Sequence, residues 1–187
     1  KLGREGLSAE GRFLPETYLY TRNTTDIALL RRAMQAMDQQ LAEAWLGRDP
    51  DLPLHTADEA LILASIIEKE TGQSGERAEI AGVFVRRLRI GMRLQTDPTV
   101  IYGVGERFDG NLTRAPLQAD TPWNTYTRAG LPPTPIAMPG RAALMAAVHP
   151  AQGKSLYFVA RGDGSHVFSD TLSEHNRAVR QYQLRQR

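Results

Sequence analysis

Hydrophobic spacing divides the chain into helical and extended stretches. The cluster Asn23, Thr24, Thr25 and Asp26 offers N-cap side chains, and an amphipathic helix is expected from there to about Leu46, before Gly47 breaks the pattern. A second, strongly apolar helix is expected from about Thr56 or Ala57 to Thr71, ended by Gly72. A third, about Gly75 to Arg89, places Ile80, Ala81, Phe84, Val85 and Leu88 on one side. Residues 92–139 lose periodicity and gather proline, Tyr102, Trp123 and Tyr126, so a long irregular region is expected there, with a short helix near Pro98 capped by Asp97 or Thr96. A fourth helix follows at about Arg141 to Val148. Residues 155–160 and 166–169 flank a Gly-rich turn and predict a hairpin, and a polar helix runs from about Leu172 to the end. Residues 17–21 read as a short strand, and residues 1–12 as a poorly ordered lead-in. Helices dominate over a small antiparallel component, so the expected class is α+β, mainly helical, in one unit spanning residues 1–187.

The 187 residues are enough to bury a substantial core, and 41% hydrophobic with 24% charged residues is a globular balance. Only Lys1, Lys69 and Lys154 are lysines, the other basic residues being arginine, and the net charge of +2 gives no signal for nucleic acid. The absence of cysteine excludes a disulfide scaffold, a thiolate metal site and a cysteine nucleophile. No run approaches a membrane span. The chain does not start with Met and carries no signal peptide, so it reads as an excised piece whose anchor, if any, lies upstream.

The sharpest chemical signal is LASIIEKET at 63–71. Helical residues turn by about 100° each, so Glu68 and Glu70 point roughly 200° apart and cannot share a cleft. Glu70 continues the stripe of Leu63, Ile66 and Ile67, whereas Glu68 lies near Leu61 and Ser65. A carboxyl set among aliphatic side chains is desolvated and holds its proton towards neutral pH, as a general acid requires. On the pattern alone the plainer alternative, a helix-ending Glu70 that bends to solvent, carries more weight. RLQTDPTVIYG at 93–103 places hydrogen-bonding groups around a turn. WNTYT at 123–127, followed by GLPP at 130–133, sets amides and aromatics on stiff loops, which suits sugar rings and equally a proline-stiffened surface loop. Other patterns are weak. GVG at 103–105 lacks the strand and third glycine of a dinucleotide site, and RGD at 161–163 is a hairpin tip. The NTT and NLT tripeptides at 23–25 and 111–113 match a glycosylation signal at chance level. His55, His149, His166 and His175 have no metal-ligand spacing, and no Gly-x-Ser-x-Gly elbow is present.

Together these motifs resemble a known family. LASIIEKET at 63–71, RLRIGMRLQTDPTVIYG at 87–103, NTYT at 124–127, GLPP at 130–133 and LYFVA at 156–160 are similar, in order, to the endolytic murein transglycosylases of the YceG-like (MltG) family. The resemblance runs from about Leu14 to the C-terminal helix. It implies a bacterial inner-membrane protein with its catalytic part in the periplasm, preceded by a transmembrane helix and a LysM-like subdomain. It implies cleavage of the MurNAc–GlcNAc bond inside nascent glycan strands, leaving 1,6-anhydro-N-acetylmuramic ends, without metal or organic cofactor. By motif the catalytic glutamate falls on Glu70, with Glu68 as the secondary candidate. Gln95, Asp97, Asn124 and Tyr126 are expected to line the cleft it faces. The implied partners are glycan strands and, by family habit, peptidoglycan synthases. Two other classes stay open: a hydrolase using Asp97 or Glu68 as a second carboxylate, and a non-catalytic glycan-binding or scaffold domain.

Overall fold

A computed structural model describes residue 6 and residues 8–184. It contains seven α-helices among these residues: α1 (Asp26–Leu46), α2 (Ala57–Glu70), α3 (Arg77–Arg89), α4 (Asp97–Val104), α5 (Arg114–Gln118), α6 (Arg141–Val148) and α7 (Leu172–Tyr182). Between α6 and α7 lies the antiparallel hairpin β1 (Tyr157–Ala160) and β2 (His166–Ser169), in which Phe158 faces Phe168 and Val159 faces Val167.

The long helices begin where the sequence offers a cap. The Thr25 hydroxyl accepts from Ala28 N at 3.2 Å, and the Thr56 hydroxyl from Glu59 N at 3.2 Å. Helix α1 buries one stripe, Ala33, Met34, Met37, Leu41 and Ala44. Helix α2 is buried on every side from Ala60 to Ile67 and forms the axis of the core, packed most extensively against α6. Each fully buried leucine, isoleucine or phenylalanine here contributes about 1.5–3 kcal/mol relative to exposure. Gly82 lies where the chain after α6 crosses α3: a Cβ there would sit 2.4 Å from the Ala151 carbonyl oxygen. That crossing brings the hairpin against α3.

Four expectations need correction. Residues 17–21 form no strand, because no neighbouring strand is available to take their backbone groups; Leu19 and Tyr20 are exposed, and the Leu19 carbonyl is instead bonded by Arg32 at 2.7 Å. Within the lead-in, residues 1–5 and 7 lie outside the described residues, but residues 8–12 are anchored, with Gly11 against Pro135 and Arg12 bonded to Asp58 at 2.8 Å. The irregular region holds, besides the expected short helix at Pro98 (α4), a second one, α5. The last helix stops at Tyr182, and residues 185–187 lie outside the described residues. No described helix is long and apolar enough to cross a membrane.

Candidate active site

Glu70 is the last residue of α2; Thr71 leaves in an extended conformation, so the carboxyl stands at the rim of the core. It faces a cleft of about 470 Å³, within the range of ligand sites. One wall is Leu94, Gln95, Asp97 and Tyr126; the other is the hairpin and α7, with Tyr157, His166 and His175. Burial pushes the Glu70 pKa up to about 7, against a lowering by its hydrogen bond from Thr96. The Asp97 charge adds to the rise, while His166 and Arg87 oppose it.

The Thr96 Oγ1 donates a hydrogen bond to Glu70 Oε1. Thr96 is also the N-cap residue of α4, yet its side chain makes no cap bond, because its hydroxyl is turned towards the carboxylate. Its backbone N–H is held by Thr125 Oγ1 at 3.1 Å, and Gln95 N donates to Thr125 O at 3.1 Å. Gln95 takes a φ of 50°, a left-handed conformation that costs a non-glycine residue about 1–3 kcal/mol. The two bonds to Thr125 hold it there. Asp97 Oδ1 accepts from the Tyr126 hydroxyl at 2.6 Å, and burial, with this bond, raises the Tyr126 pKa above the usual phenol range. Segments 93–99 and 124–127 thus form one wall.

Glu68, Gln95, Asp97, Asn124 and Tyr126 divide into two groups. Gln95, Asp97 and Tyr126 line the cleft with Glu70. Asn124 does not. It is fully buried, and its amide donates to the carbonyls of Pro116 at 3.2 Å, Leu117 at 3.1 Å and Ala119 at 2.7 Å. Its Oδ1 accepts from Tyr126 N at 2.8 Å. Asn124 therefore supports the wall from behind, tying α5 to the turn that carries Tyr126. Glu68 points away from the cleft, as the helical phase requires: its Oε2 accepts from Gly140 N at 3.0 Å, at the N-terminus of α6, and its Oε1 lies 3.9 Å from Arg77.

Sequence reasoning passed over the opposite wall. Arg87 is buried and donates to the carbonyls of Leu156 at 2.7 Å and Leu94 at 2.7 Å, joining the hairpin to the loop before α4; burial lowers its pKa. A charge at i+3 from Phe84 on an apolar stripe was a legible sign of such a role. His166 and His175 come from the hairpin and α7, about a hundred residues beyond Glu70, and nothing local in the sequence marks them.

Comparison with known proteins covers almost the whole chain. The family model described as the YceG-like family matches residues 3–181. The chain is 38% identical over 175 residues to the endolytic murein transglycosylase of Bacillus subtilis, covering 92% of this chain and 48% of that one. It is 31% identical over 180 residues to the protein of the same name from Streptococcus pneumoniae, covering 92% of this chain and 32% of that one. The crystal structure of a yceG-like protein from Listeria monocytogenes superposes with a TM-score of 0.78 at 35% identity, covering 94% of this chain and 58% of that one. The chain spans about half the length of the Bacillus relative and a third of the Streptococcus one. Since sequence and fold both agree over more than nine-tenths of its residues, the chain belongs to the YceG-like family.

Proposed function

We propose that this chain is the catalytic part of an endolytic peptidoglycan transglycosylase, cutting the β-1,4 bond from N-acetylmuramic acid to N-acetylglucosamine inside glycan strands. The observation that carries the reading is Glu70, a carboxyl at the end of a buried helix, facing a sugar-sized cleft with its pKa pushed up to about 7. A protonated Glu70 gives its proton to the bridging oxygen as the bond from muramic C1 to that oxygen breaks. The C6 hydroxyl of the same muramic residue attacks C1, and the Glu70 carboxylate takes up that hydroxyl's proton, which restores the acid. The product ends in a 1,6-anhydro ring. Intramolecular attack replaces an external nucleophile with an effective concentration of about 10⁵–10⁸ M, so one carboxyl suffices. The Asp97 carboxylate and the Gln95 carbonyl on the cleft wall suit the positive charge that develops at C1.

The names of the relatives support peptidoglycan as substrate. By the same likeness, the chain is expected to work at the outer face of a bacterial inner membrane, held there by a preceding segment and associated with peptidoglycan synthases. A muramidase-type hydrolase would need a second carboxylate to activate water, and Asp97 is the candidate on the page. Mass spectrometry of fragments released from uncrosslinked glycan decides: anhydro ends support the transglycosylase, and reducing ends overturn it. No release by the wild-type chain, matched by Glu70→Gln, would favour a binding domain.

A further inference from the structure

The wall opposite Gln95 and Tyr126 holds a carboxylate–imidazole pair that this mechanism leaves unused. Glu76, in the turn between α2 and α3, grips His166 at the start of β2 through both oxygens. Its Oε1 accepts the His166 backbone N–H at 2.9 Å, and its Oε2 lies 2.7 Å from Nδ1. The two side chains are only 10% and 18% exposed, for His166 and Glu76 respectively. The ring is held edge-on by Phe158 at 5.5 Å and flanked by Phe168 at 6.5 Å, so its orientation is fixed. Burial works to raise the Glu76 pKa, but the bonds from His166 outweigh it and keep the carboxyl below the usual range. An ionised carboxylate only accepts, so Nδ1 carries a proton and donates to it, and Nε2 is the ring nitrogen left for a ligand. His166 lines the same cleft as Glu70, and among the described residues nothing bonds to Nε2.

His166 thus has one ring nitrogen bonded and one unbonded on the wall of the cleft. We propose that Glu76 and His166 form a second substrate-contacting element, with Nε2 hydrogen-bonded to a sugar hydroxyl of the glycan that faces Glu70. The inference rests on the glycan-cleaving reading of the cleft. It makes Glu76 a positioning residue, which fixes the tautomer and the ring plane, and His166 the group that meets the sugar.

The test separates the two ring nitrogens. In His166→Asn the side-chain amide lies near the place of Nδ1 and keeps a donor for Glu76, but nothing reaches the place of Nε2. The variant should unfold at the wild-type temperature and lose roughly 10- to 100-fold in kcat/KM on uncrosslinked glycan. His166→Gln, whose longer amide reaches towards the Nε2 position, should recover part of that loss. Contact is read directly in the Glu70→Gln chain carrying ¹⁵N-labelled histidine, titrated with soluble peptidoglycan oligosaccharides. The His166 Nε2 resonance should shift while Nδ1 stays nearly in place. A still Nε2 resonance overturns the proposal, whether the glycan binds elsewhere or not at all, and so does a folded His166→Asn chain with wild-type kcat/KM. If the Asn variant fails to fold, the titration decides alone. If the wild-type chain releases reducing ends, the transglycosylase reading falls, and the Nε2 titration still upholds or overturns this proposal.

Discussion

Replacing Glu70 by glutamine should stabilise the fold while it removes the chemistry, and the gain should depend on pH in a defined way. Burial raises the Glu70 pKa from its ordinary 4.5 to about 7. Between those values the folded chain holds a proton that the unfolded chain has released, so wild-type stability falls as pH rises through that window. Below pH 4.5 the carboxyl is neutral in both states and the contribution is complete; above pH 7 it is lost. The gap corresponds to roughly 3 kcal/mol, an upper figure because the carboxyl keeps an edge towards the open cleft. Glutamine is neutral throughout, fills nearly the same volume, and its carbonyl can still accept from Thr96. The two chains should therefore unfold alike near pH 4, and Glu70→Gln should be the more stable by up to about 3 kcal/mol at pH 8. Urea unfolding at a series of pH values, followed by tryptophan fluorescence, measures the difference, and titrations common to both chains cancel in it. A difference that is constant from pH 4 to 8, or a variant less stable at pH 8, would refute the desolvation argument.

Four further outcomes are expected. With Glu70 needed in its protonated form, kcat/KM should fall about tenfold per pH unit above about 7; a rate still rising at pH 9 would exclude Glu70 as the acid. Thr96→Val removes the bond that pulls the Glu70 pKa down, so the falling limb should move to higher pH as turnover drops, and Thr96→Ser should restore both; an unmoved limb in Thr96→Val counts against the contact. Asn124→Ala takes a donor from three carbonyls, of which Pro116 and Ala119 keep a backbone partner, and strands the Tyr126 N–H, so it should cost roughly 1–3 kcal/mol in thermal unfolding; wild-type stability with lost turnover would return Asn124 to the cleft. Glu68→Gln keeps an acceptor for Gly140 and forfeits only the Arg77 pair, so it should remain active within about 1 kcal/mol of wild-type stability; an inactive, folded variant would contradict the helix phase.

The helices that frame the site were legible because their signals are local. Thr25 and Thr56 stand one residue before α1 and α2, and the stripe from Leu63 to Ile67 fixes where Glu70 points. Pro98 marked the start of α4, but α5 was harder to read because five residues, with Pro116 among them, complete too few turns to show a period. Asn124 misled for a different reason. An amide beside aromatics in a turn has the same composition whether it meets a sugar or three backbone carbonyls, and only burial distinguishes them. The hairpin wall was invisible because its attachments span the chain: Glu76 to His166 and Arg87 to Leu156 are contacts between segments about 90 and 69 residues apart.

At residues 95 and 96 the chain breaks two local rules in succession. A threonine at an N-cap usually bonds the free amides of its own helix, and forgoing this costs about 0.5–2 kcal/mol. Thr96 forgoes it and bonds Glu70. Part of the loss is offset in place: Pro98 has no N–H to satisfy, Asp97 sets a negative charge in the first turn of α4, and the Thr99 hydroxyl donates to the Thr96 carbonyl at 2.8 Å. Gln95 adds a left-handed backbone where glycine would rest without strain. A loop shaped only for stability would carry glycine at 95 and a capping hydroxyl at 96. Strain and a diverted cap at adjacent positions, beside a carboxyl whose pKa sits near 7, are what is expected where a fold gives up local stability to hold a reactive group in place. The sequence run that joins α3 to α4 is then best understood as a mount for Glu70, with Thr125 bracing it from behind through Gln95, Thr96 and Thr99.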